Sequence, residues 1–260
     1  MEADKIYEDK DMIIYQSNTF TIYEFVNTDE DMQIDELNTS NPTLHERISK
    51  LRHLVKRNTT EEQSHGDPVI PKNDREFHGL PPGYYTQRWK WAKELELLTI
   101  SSKNTIKIAS NTNSHMIIGD HELRIPVVKP PKMSETKRYP GQWLFDLKDE
   151  KFKCRLVVMG NRMSSDGITT FAPKLQPASD RLITAYAALN NYPLHSFDVV
   201  TAYLNALATR KVYLFVCTGF ELIGIDPRTI HSLLICKSLY GQPESDFNWY
   251  STLDKSMTHD

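Results

Sequence analysis

The sequence predicts an α+β fold in which helices pack on a mostly antiparallel sheet. Residues 142–148 and 152–159 alternate apolar and polar side chains around a short charged turn, which is the pattern of a β-hairpin. Residues 86–98 and 179–191 instead space their apolar side chains at helical intervals. The other strand-like runs do not alternate regularly with helices, as they would in a βαβ fold. These runs are residues 194–200, 211–217 and 232–238.

The first 84 residues differ in composition from the remainder. Residues 1–40 hold eleven Asp and Glu against two Lys, a net charge of −9, so the remaining 220 residues carry +6. A stretch this acidic and polar is predicted to be largely disordered. Residues 58–84 are rich in Pro, Gly and charged side chains, which is typical of a linker. We therefore predict a spacer over residues 1–84 and a folded domain over residues 85–260.

A short basic helix is predicted near residues 42–57. Asn41 can cap its start and Pro42 suits the first helical position. Apolar residues follow at helical spacing, and cations cover the rest of the surface. The apolar residues are Leu44, Ile48, Leu51 and Val55. Two interpretations stay open, a basic amphipathic arm that binds nucleic acid and a short solvated helix.

The hairpin has two distinct faces. Lys153 and Arg155 share one face of its second strand, because side chains alternate along a strand. The opposite face is apolar and consists of Phe152, Cys154, Leu156 and Val158. Trp143 and Phe145 of the first strand are predicted to enter the core. The turn, Asp149-Glu150-Lys151, lacks the glycine that tight hairpins favour.

The helix over residues 179–191 is predicted to be capped by Ser179. Its inward face would consist of Leu182, Ile183, Tyr186 and Leu189. The strand over 194–200 then leads to a helix over 201–208, with Asp198 close to the junction. A carboxylate at such a strand end is either a solvated or capping residue or part of a metal site, and the residues alone leave both interpretations open.

Several classes of site are not indicated. No run approaches the roughly 18 apolar residues that span a bilayer, and residues 1–16 lack the apolar segment of a signal peptide. The three cysteines lie far apart without metal-ligand spacing and are expected to be reduced and buried. The histidines and glycines form neither a zinc pattern nor a phosphate loop.

Six stretches occur in order between roughly residues 85 and 241. They are "WKWAKELELL", "QWLFDLK" with "KFKCRLVVMGNRM", "TTFAPKLQPASDRLITAYAA", "LHSFDVVTAYLNA", "VYLFVCTGF" and "LLICKSLYG". Together they resemble the reverse transcriptase of copia-type LTR retrotransposons, part of a Pol polyprotein. For example, "LHSFDVVTAYLNA" resembles the family segment His-Gln-Met-Asp-Val-Lys-Thr-Ala-Phe-Leu-Asn-Gly. The resemblance implies the fingers and part of the palm of an RNA-directed DNA polymerase.

The resemblance also implies roles for individual residues. Asp198 would be the first metal-binding carboxylate of the palm, and the carbonyl of Val199 would also touch the metal. The other implied residues bind the incoming deoxynucleoside triphosphate. Lys153 and Arg155 would neutralise its phosphates, Thr201 and Ala202 would offer backbone N–H groups, and Tyr203, where the family commonly has Phe, would exclude a 2′-hydroxyl.

The implied cofactor is Mg²⁺, and the implied partners are an RNA or DNA template-primer, deoxynucleoside triphosphates and other parts of a Pol polyprotein, with no membrane partner. The implied location is the cytoplasm, a virus-like particle or the nucleus.

The sequence also departs from the family. The palm needs a Tyr-x-Asp-Asp turn, and no Asp-Asp dipeptide occurs in the 260 residues. After Tyr240-Gly241 the family usually has Leu-Lys-Gln-Ala-Pro-Arg, whereas residues 242–247 are Gln-Pro-Glu-Ser-Asp-Phe. We therefore expect this chain to be inactive alone, because two-metal nucleotidyl transfer needs further carboxylates. The alternative is a non-catalytic retrotransposon remnant that binds nucleic acid or protein.

Overall fold

The structure is a computed structural model and describes residues 4–9, 12–16, 21–25, 42–57, 65–111, 116–118, 123–132, 136–195 and 199–258. The predicted α+β class is confirmed. The helices are α1 (Pro42–Leu54), α2 (Asp74–His78), α3 (Tyr84–Ser102), α4 (Pro177–Leu189) and α5 (Ser245–Thr258). No helix in these ranges combines the length and apolarity that crossing a bilayer would demand.

Twelve strands occur in the described ranges. They are β1 (Asp4–Asp9), β2 (Met12–Gln16), β3 (Thr21–Phe25), β4 (Ile106–Ala109), β5 (Met116–Ile118), β6 (Leu123–Ile125), β7 (Val127–Val128), β8 (Arg138–Tyr139), β9 (Gly141–Lys148), β10 (Lys151–Val158), β11 (Leu207–Leu214) and β12 (Ser232–Lys237). The first three form an antiparallel meander.

A five-stranded sheet has the order β7-β4-β12-β11-β8. Its central strands are antiparallel, and the two short edge strands run parallel to their neighbours. Leu233 lies opposite Ile108 on one side and Leu214 on the other, so the middle of the sheet is apolar and fully buried. The β11–β12 ladder is irregular between Leu207 and Val212.

The hairpin of β9 and β10 has the predicted faces. Phe152, Leu156 and Val158 are buried, as are Trp143 and Phe145 opposite. Lys148 pairs with Lys151, so the turn has only two central residues. These are Asp149 and Glu150, with φ of 53° and 56°. Positive φ at both positions is what a type I′ turn requires, and the hairpin adopts it without glycine.

Helix α3 lies across the apolar face of the hairpin. Trp89 is fully buried, its ring centroid 4.7 Å from Phe152 and 5.6 Å from Phe145 in edge-on contacts. The Trp89 indole N–H donates to the carbonyl of Val69, 3.0 Å away, so this large side chain leaves no unpaired donor in the core. Free Cys154 is also buried here, and burial raises the pKa of its thiol well above the usual value.

Helix α1 is packed against α3 rather than solvated on all sides. Leu44, Leu51 and Val55 are buried in the same core as the hairpin. Arg88 of α3 donates to the carbonyls of Leu54 and Lys56, which satisfies acceptors at the end of α1 that no helical N–H reaches. The apolar face of the predicted basic helix is therefore internal. The boundary after residue 84 stays a prediction.

Lys93 is a buried cation that joins separate parts of the fold. Its ammonium, 1% exposed, lies 2.7 Å from the Asp74 carboxylate and 3.3 Å from the Thr218 hydroxyl. It also lies 4.9 Å and 4.8 Å from the ring centroids of Phe77 and Trp143. Thr218 donates to Asp74 in turn. A charge held this deep depends on its partners, because an isolated ammonium is strongly disfavoured away from water.

The stretch from 177 to 208 corrects several predictions. Helix α4 begins at Pro177 after Gln176, not at a Ser179 cap, because proline favours the first helical position. Its apolar face is outward instead of buried. The four side chains expected inside are Leu182, Ile183, Tyr186 and Leu189, which are 71%, 52%, 60% and 83% exposed.

The following elements differ as well. Leu194 and Val200 lie outside any strand, and residues 196–198 in the middle of the predicted strand lie outside the described residues. The predicted helix over 201–208 is only a 3₁₀ turn, Ala202–Asn205. Sheet pairing ends that turn, because Ser238 N–H donates to the Ala206 carbonyl at 2.7 Å and β11 begins one residue later.

Asp74→Ala should lower the free energy of unfolding by about 3–5 kcal/mol, because it leaves the Lys93 charge buried without its carboxylate. Urea unfolding followed by circular dichroism measures this loss. Lys93→Met in the Asp74→Ala background should restore most of it. The matched control is Asp226→Ala, whose partner Arg228 is 90% exposed, and it should leave stability essentially unchanged.

A loss below about 1 kcal/mol in Asp74→Ala would contradict a structural role for this pair. Burial raises the pKa of Asp74, but hydrogen bonds from Lys93 and Thr218 and the Lys93 charge outweigh it, so the net pKa lies below its ordinary value. The stabilisation is therefore present at neutral pH and lost as the pH falls through the folded-state pKa. The double variant should lack this acid sensitivity.

Glu150→Gly should raise the free energy of unfolding by about 0.5–1 kcal/mol, because glycine adopts positive φ without the penalty of a Cβ. The exposed contact of the Glu150 carboxylate with Arg57, 3.3 Å, should contribute little against this gain. The neighbouring Lys151→Gly, at a strand position, should instead destabilise the hairpin by a similar amount. If the two substitutions change the free energy of unfolding equally in urea, the positive φ of Glu150 does not strain the turn.

Candidate functional site

The end of β10 meets the segment that follows β12 in a close backbone crossing. Val158 N–H donates to the Tyr240 carbonyl at 2.7 Å. Gly241 has φ +85°, and a Cβ there would overlap the Val158 carbonyl; a Cβ on Gly160 would overlap the Gly241 carbonyl. Both glycines are therefore required for the approach. The crossing places Tyr240 at the exposed face of the hairpin.

Tyr240 joins two residues that are distant in sequence. The Arg155 guanidinium carbon lies 5.7 Å from the centroid of the Tyr240 ring, within the range of a cation–π contact. The Tyr203 ring lies edge-on to Tyr240 with centroids 5.5 Å apart. The cation on β10 and the aromatic side chain on the 202–205 turn thus meet at one ring. We call Arg155, Tyr203 and Tyr240 the tyrosine cluster.

The turn that carries Tyr203 begins in an unusual conformation. Thr201 precedes it with φ 57°, in the left-handed region, and Leu204 N–H donates to its carbonyl at 2.9 Å. The N–H groups of Thr201 and Ala202 stand at the start of this 3₁₀ turn. Both residues are partly exposed. Such N–H groups suit an anionic ligand.

The Tyr203 hydroxyl donates a hydrogen bond to Oδ1 of Asp246, in the first turn of α5. This hydrogen bond, with burial and the carboxylate charge as further causes, raises the pKa of Tyr203 to about 12. The phenol is therefore protonated at neutral pH and remains a donor. The Tyr203 side chain is thus held at its hydroxyl by Asp246 and contacted at its ring by Tyr240.

The segment between Tyr240 and α5 is itself fixed by buried polar groups. Glu244, 1% exposed, receives two hydrogen bonds from Arg210, at 2.8 Å from Nε and 3.0 Å from Nη2. The Gln242 side-chain oxygen accepts from Leu239 N–H at 2.7 Å. The bidentate, charge-assisted contact between Arg210 and Glu244 is of a kind that is among the strong hydrogen bonds in proteins. The segment thus holds Tyr240 and Asp246 at fixed separations.

Glu96 of α3 lies near Arg155 and Tyr240 of the tyrosine cluster. Its carboxylate accepts from the N–H of Leu156 at 3.4 Å, on the edge of β10 that does not pair with β9. Burial raises the pKa of Glu96 from 4.5 to about 7, against the opposing effects of the Leu156 N–H and the Arg155 charge. Burial followed by the Glu96 charge also raises the pKa of Tyr240.

The structure brings together only some of the residues that the sequence singles out. Arg155 and Tyr203 meet at Tyr240, and Thr201 and Ala202 begin the turn that carries Tyr203. Lys153 shares a face with Arg155, but its ammonium lies 3.1 Å from the Asp149 carboxylate at the hairpin tip.

Asp198 lies outside the described residues, and its neighbour Val199 is partly buried. Within the described ranges, no three His, Cys, Asp or Glu side chains gather as a metal-binding group.

Four residues of the site are not singled out by the sequence. Tyr240 and Gly241 belong to the stretch "LLICKSLYG". A crossing of segments that are distant in sequence leaves no local pattern, so the sequence assigns no role to these two residues. Glu96 was hidden within an amphipathic helix. Asp246 was noted only as part of a departure from the family.

A profile of the family described as "Reverse transcriptase (RNA-dependent DNA polymerase)" matches residues 125–260, just over half of the chain. The chain therefore belongs to the reverse transcriptase family, and its copia-type character is confirmed by the curated relatives it resembles.

Two of those relatives come from Arabidopsis thaliana. The Retrovirus-related Pol polyprotein from transposon RE1 is 30% identical over 132 residues, which cover 48% of this chain and 9% of that protein. The corresponding polyprotein from transposon RE2 is 27% identical over 144 residues, 52% of this chain and 10% of that protein. The chain thus matches about a tenth of the length of either polyprotein. No solved structure matches it.

Glu96→Gln should become more stabilising as the pH rises. A folded-state pKa near 7 against 4.5 in the unfolded chain means that the folded protein keeps a proton that the unfolded protein releases, so wild-type stability falls between these values. Glutamine mimics the protonated form. We expect equal unfolding free energies at pH 5 and a gain of about 1–3 kcal/mol for the variant at pH 8.

Urea unfolding at the two pH values measures this difference. Glu46→Gln, an exposed glutamate of α1, is the matched control and should show no pH-dependent gain. A gain for Glu96→Gln that is the same at both pH values would show that Glu96 ionises normally.

Proposed function

We propose that this chain forms the nucleotide-binding part of an RNA-directed DNA polymerase. The observation that carries the proposal is the meeting of Arg155 and Tyr203 at Tyr240, because it unites a cation of the kind that binds phosphates with an aromatic ring that could contact a sugar. Membership of the reverse transcriptase family supports it. The ligand would be a deoxynucleoside triphosphate paired to a template-primer.

Arg155 would bind the triphosphate. Its guanidinium presents planar donors that match phosphate oxygens, and the residue is exposed on the outer face of β10. Lys153, two residues earlier on the same face, would add a second charge. Its contact with Asp149 at the exposed hairpin tip contributes little stability, so the ammonium can exchange that partner for a phosphate.

Tyr203 would contact the sugar. A ring fixed against the site can exclude a 2′-hydroxyl by occupying its space, which discriminates deoxyribose from ribose. Thr201 and Ala202 would offer backbone N–H groups to the phosphates from the start of the same turn. Selection of the sugar and binding of the phosphates would thus be combined within three consecutive residues.

Asp198 and the carbonyl of Val199 would hold Mg²⁺. A carboxylate and a carbonyl are oxygen donors of the kind Mg²⁺ takes, and Mg²⁺ usually combines few protein oxygens with phosphates and water. The donor chemistry therefore fits one ion shared with the nucleotide. When bound, Mg²⁺ supplies charge neutralisation at the phosphates.

We further propose that these 260 residues bind nucleotide without incorporating it. Asp198 is one carboxylate, and nucleotidyl transfer by two metals needs more. The sequence contains no Asp-Asp dipeptide to supply them. A purely binding function is the second candidate, and the exposed apolar face of α4, with Leu182 71% and Leu189 83% exposed, favours a protein contact there.

The test is binding of a deoxynucleoside triphosphate to the chain with a template-primer and Mg²⁺, followed by fluorescence anisotropy. Arg155→Gln should weaken binding by about 10–100-fold, because hydrogen bonds to charged groups contribute about 1.5–3 kcal/mol. Asp198→Asn should abolish its Mg²⁺ dependence. Arg228→Gln changes another exposed arginine, whose partner is Asp226, and should leave binding unchanged.

A primer-extension assay on the same samples should show no incorporation. Incorporation that Asp198→Asn removes would overturn the proposed inactivity. Salt-dependent binding of template-primer with no nucleotide binding would overturn the nucleotide site and support the binding module instead.

A further inference from the structure

Two departures from the family pattern meet in space. Tyr203 stands where the family commonly has Phe, and Asp246 lies in the segment after Gly241 that differs from the usual family sequence. Each change is unremarkable alone, because Tyr retains an aromatic ring and Asp is common in the first turn of a helix. In the structure the added hydroxyl donates to the added carboxylate across 43 residues of sequence.

Asp246 is held in place by the packing of α5. Asn248 donates to the Ser238 hydroxyl at 3.0 Å, and the Ser245 hydroxyl donates to the Leu239 carbonyl at 2.7 Å. Both Ser245 and Asn248 are buried. The first turn of α5 is therefore tied to the end of β12, and the Asp246 carboxylate is a fixed acceptor rather than a mobile surface group.

We propose that Asp246 is a positioning residue that fixes the Tyr203 ring against Tyr240 and thereby sets the discrimination between deoxyribose and ribose. The inference rests on the proposed nucleotide site, and it adds a residue that does not touch the nucleotide. Asp246 acts only through the Tyr203 hydroxyl.

The physical reason is the steric nature of the discrimination. Exclusion of one hydroxyl depends on the ring position to within a fraction of an ångström, and a tyrosine that is held only by ring contacts can turn about two side-chain torsions. The hydrogen bond to Asp246 restrains the far end of the ring, while Tyr240 contacts its edge. The raised pKa of Tyr203 is consistent with a phenol held by a carboxylate.

The experiment measures the ratio of dissociation constants for a ribonucleoside and a deoxyribonucleoside triphosphate, in the presence of template-primer and Mg²⁺. The wild-type chain should prefer the deoxyribonucleotide. Asp246→Ala and Tyr203→Phe should each lower the preference by about 3–10-fold, the equivalent of one hydrogen bond, and the double variant should lower it no further.

The affinity for the deoxyribonucleotide should stay within about twofold in these variants, since a lost positioning contact admits ribose without removing a contact to deoxyribose. Asp246→Asn should keep most of the preference, because its amide oxygen still accepts from the phenol. Asp254→Ala removes an exposed carboxylate from the same helix and should change nothing.

An unchanged preference in Asp246→Ala or in Tyr203→Phe would overturn the inference while leaving the proposed function intact. Equal weakening of both nucleotides in Tyr203→Phe, which leaves α5 untouched, would also overturn it. A wild-type chain that binds neither nucleotide would overturn the proposed function and this inference together. If Asp246→Ala fails to fold, Tyr203→Phe and Asp246→Asn still decide the outcome.

Discussion

The site depends on one backbone contact, the hydrogen bond from Val158 N–H to the Tyr240 carbonyl. It is possible only because residues 160 and 241 are glycines, since a Cβ on either would overlap backbone atoms of the opposite segment. Through this contact the outer face of the hairpin and the end of the five-stranded sheet become one surface. Arg155 and Tyr203 then contact the same ring, that of Tyr240. The contact joins Val158 and Tyr240, which are far apart in the sequence.

The hairpin that presents Arg155 is held from its apolar side. Helix α3 buries Trp89 against it, and the buried ammonium of Lys93 on the same helix links α2 to the loop at Thr218 through the Asp74 carboxylate and the Thr218 hydroxyl. Packing provides most of the stability of such a core, while the ion pair fixes which elements face one another. The order of dependence runs from this core to the hairpin, from the hairpin to the crossing, and from the crossing to the tyrosine cluster.

Sequence patterns predicted the elements whose structure is determined locally. The alternation in β9 and β10 gave both strands and both faces, because side-chain direction in a strand follows from the backbone. Sequence patterns failed where residues that are distant in sequence determine the local structure. Pairing of Leu207 with Lys237 replaces the expected helix by a short turn, and the apolar spacing of α4 identified its apolar side but not whether anything covers it. Of the site, the family resemblance indicated Arg155 and Tyr203 but not Tyr240, whose place beside them arises only from the crossing.

The acidic residues that distinguish this chain after Gly241 also bear on the electrostatics of the site. Free carboxylates close to Arg155 would compete with a triphosphate for its charge. In the structure Glu244 is neutralised by two hydrogen bonds from Arg210, and Asp246 accepts from Tyr203. Glu96, whose charge interacts with that of Arg155, has a pKa raised to about 7 by burial, so it is partly protonated near neutral pH. Glu244 therefore already has a cationic partner, and Glu96 is partly protonated, so a polyanionic ligand is compatible with the Arg155 charge.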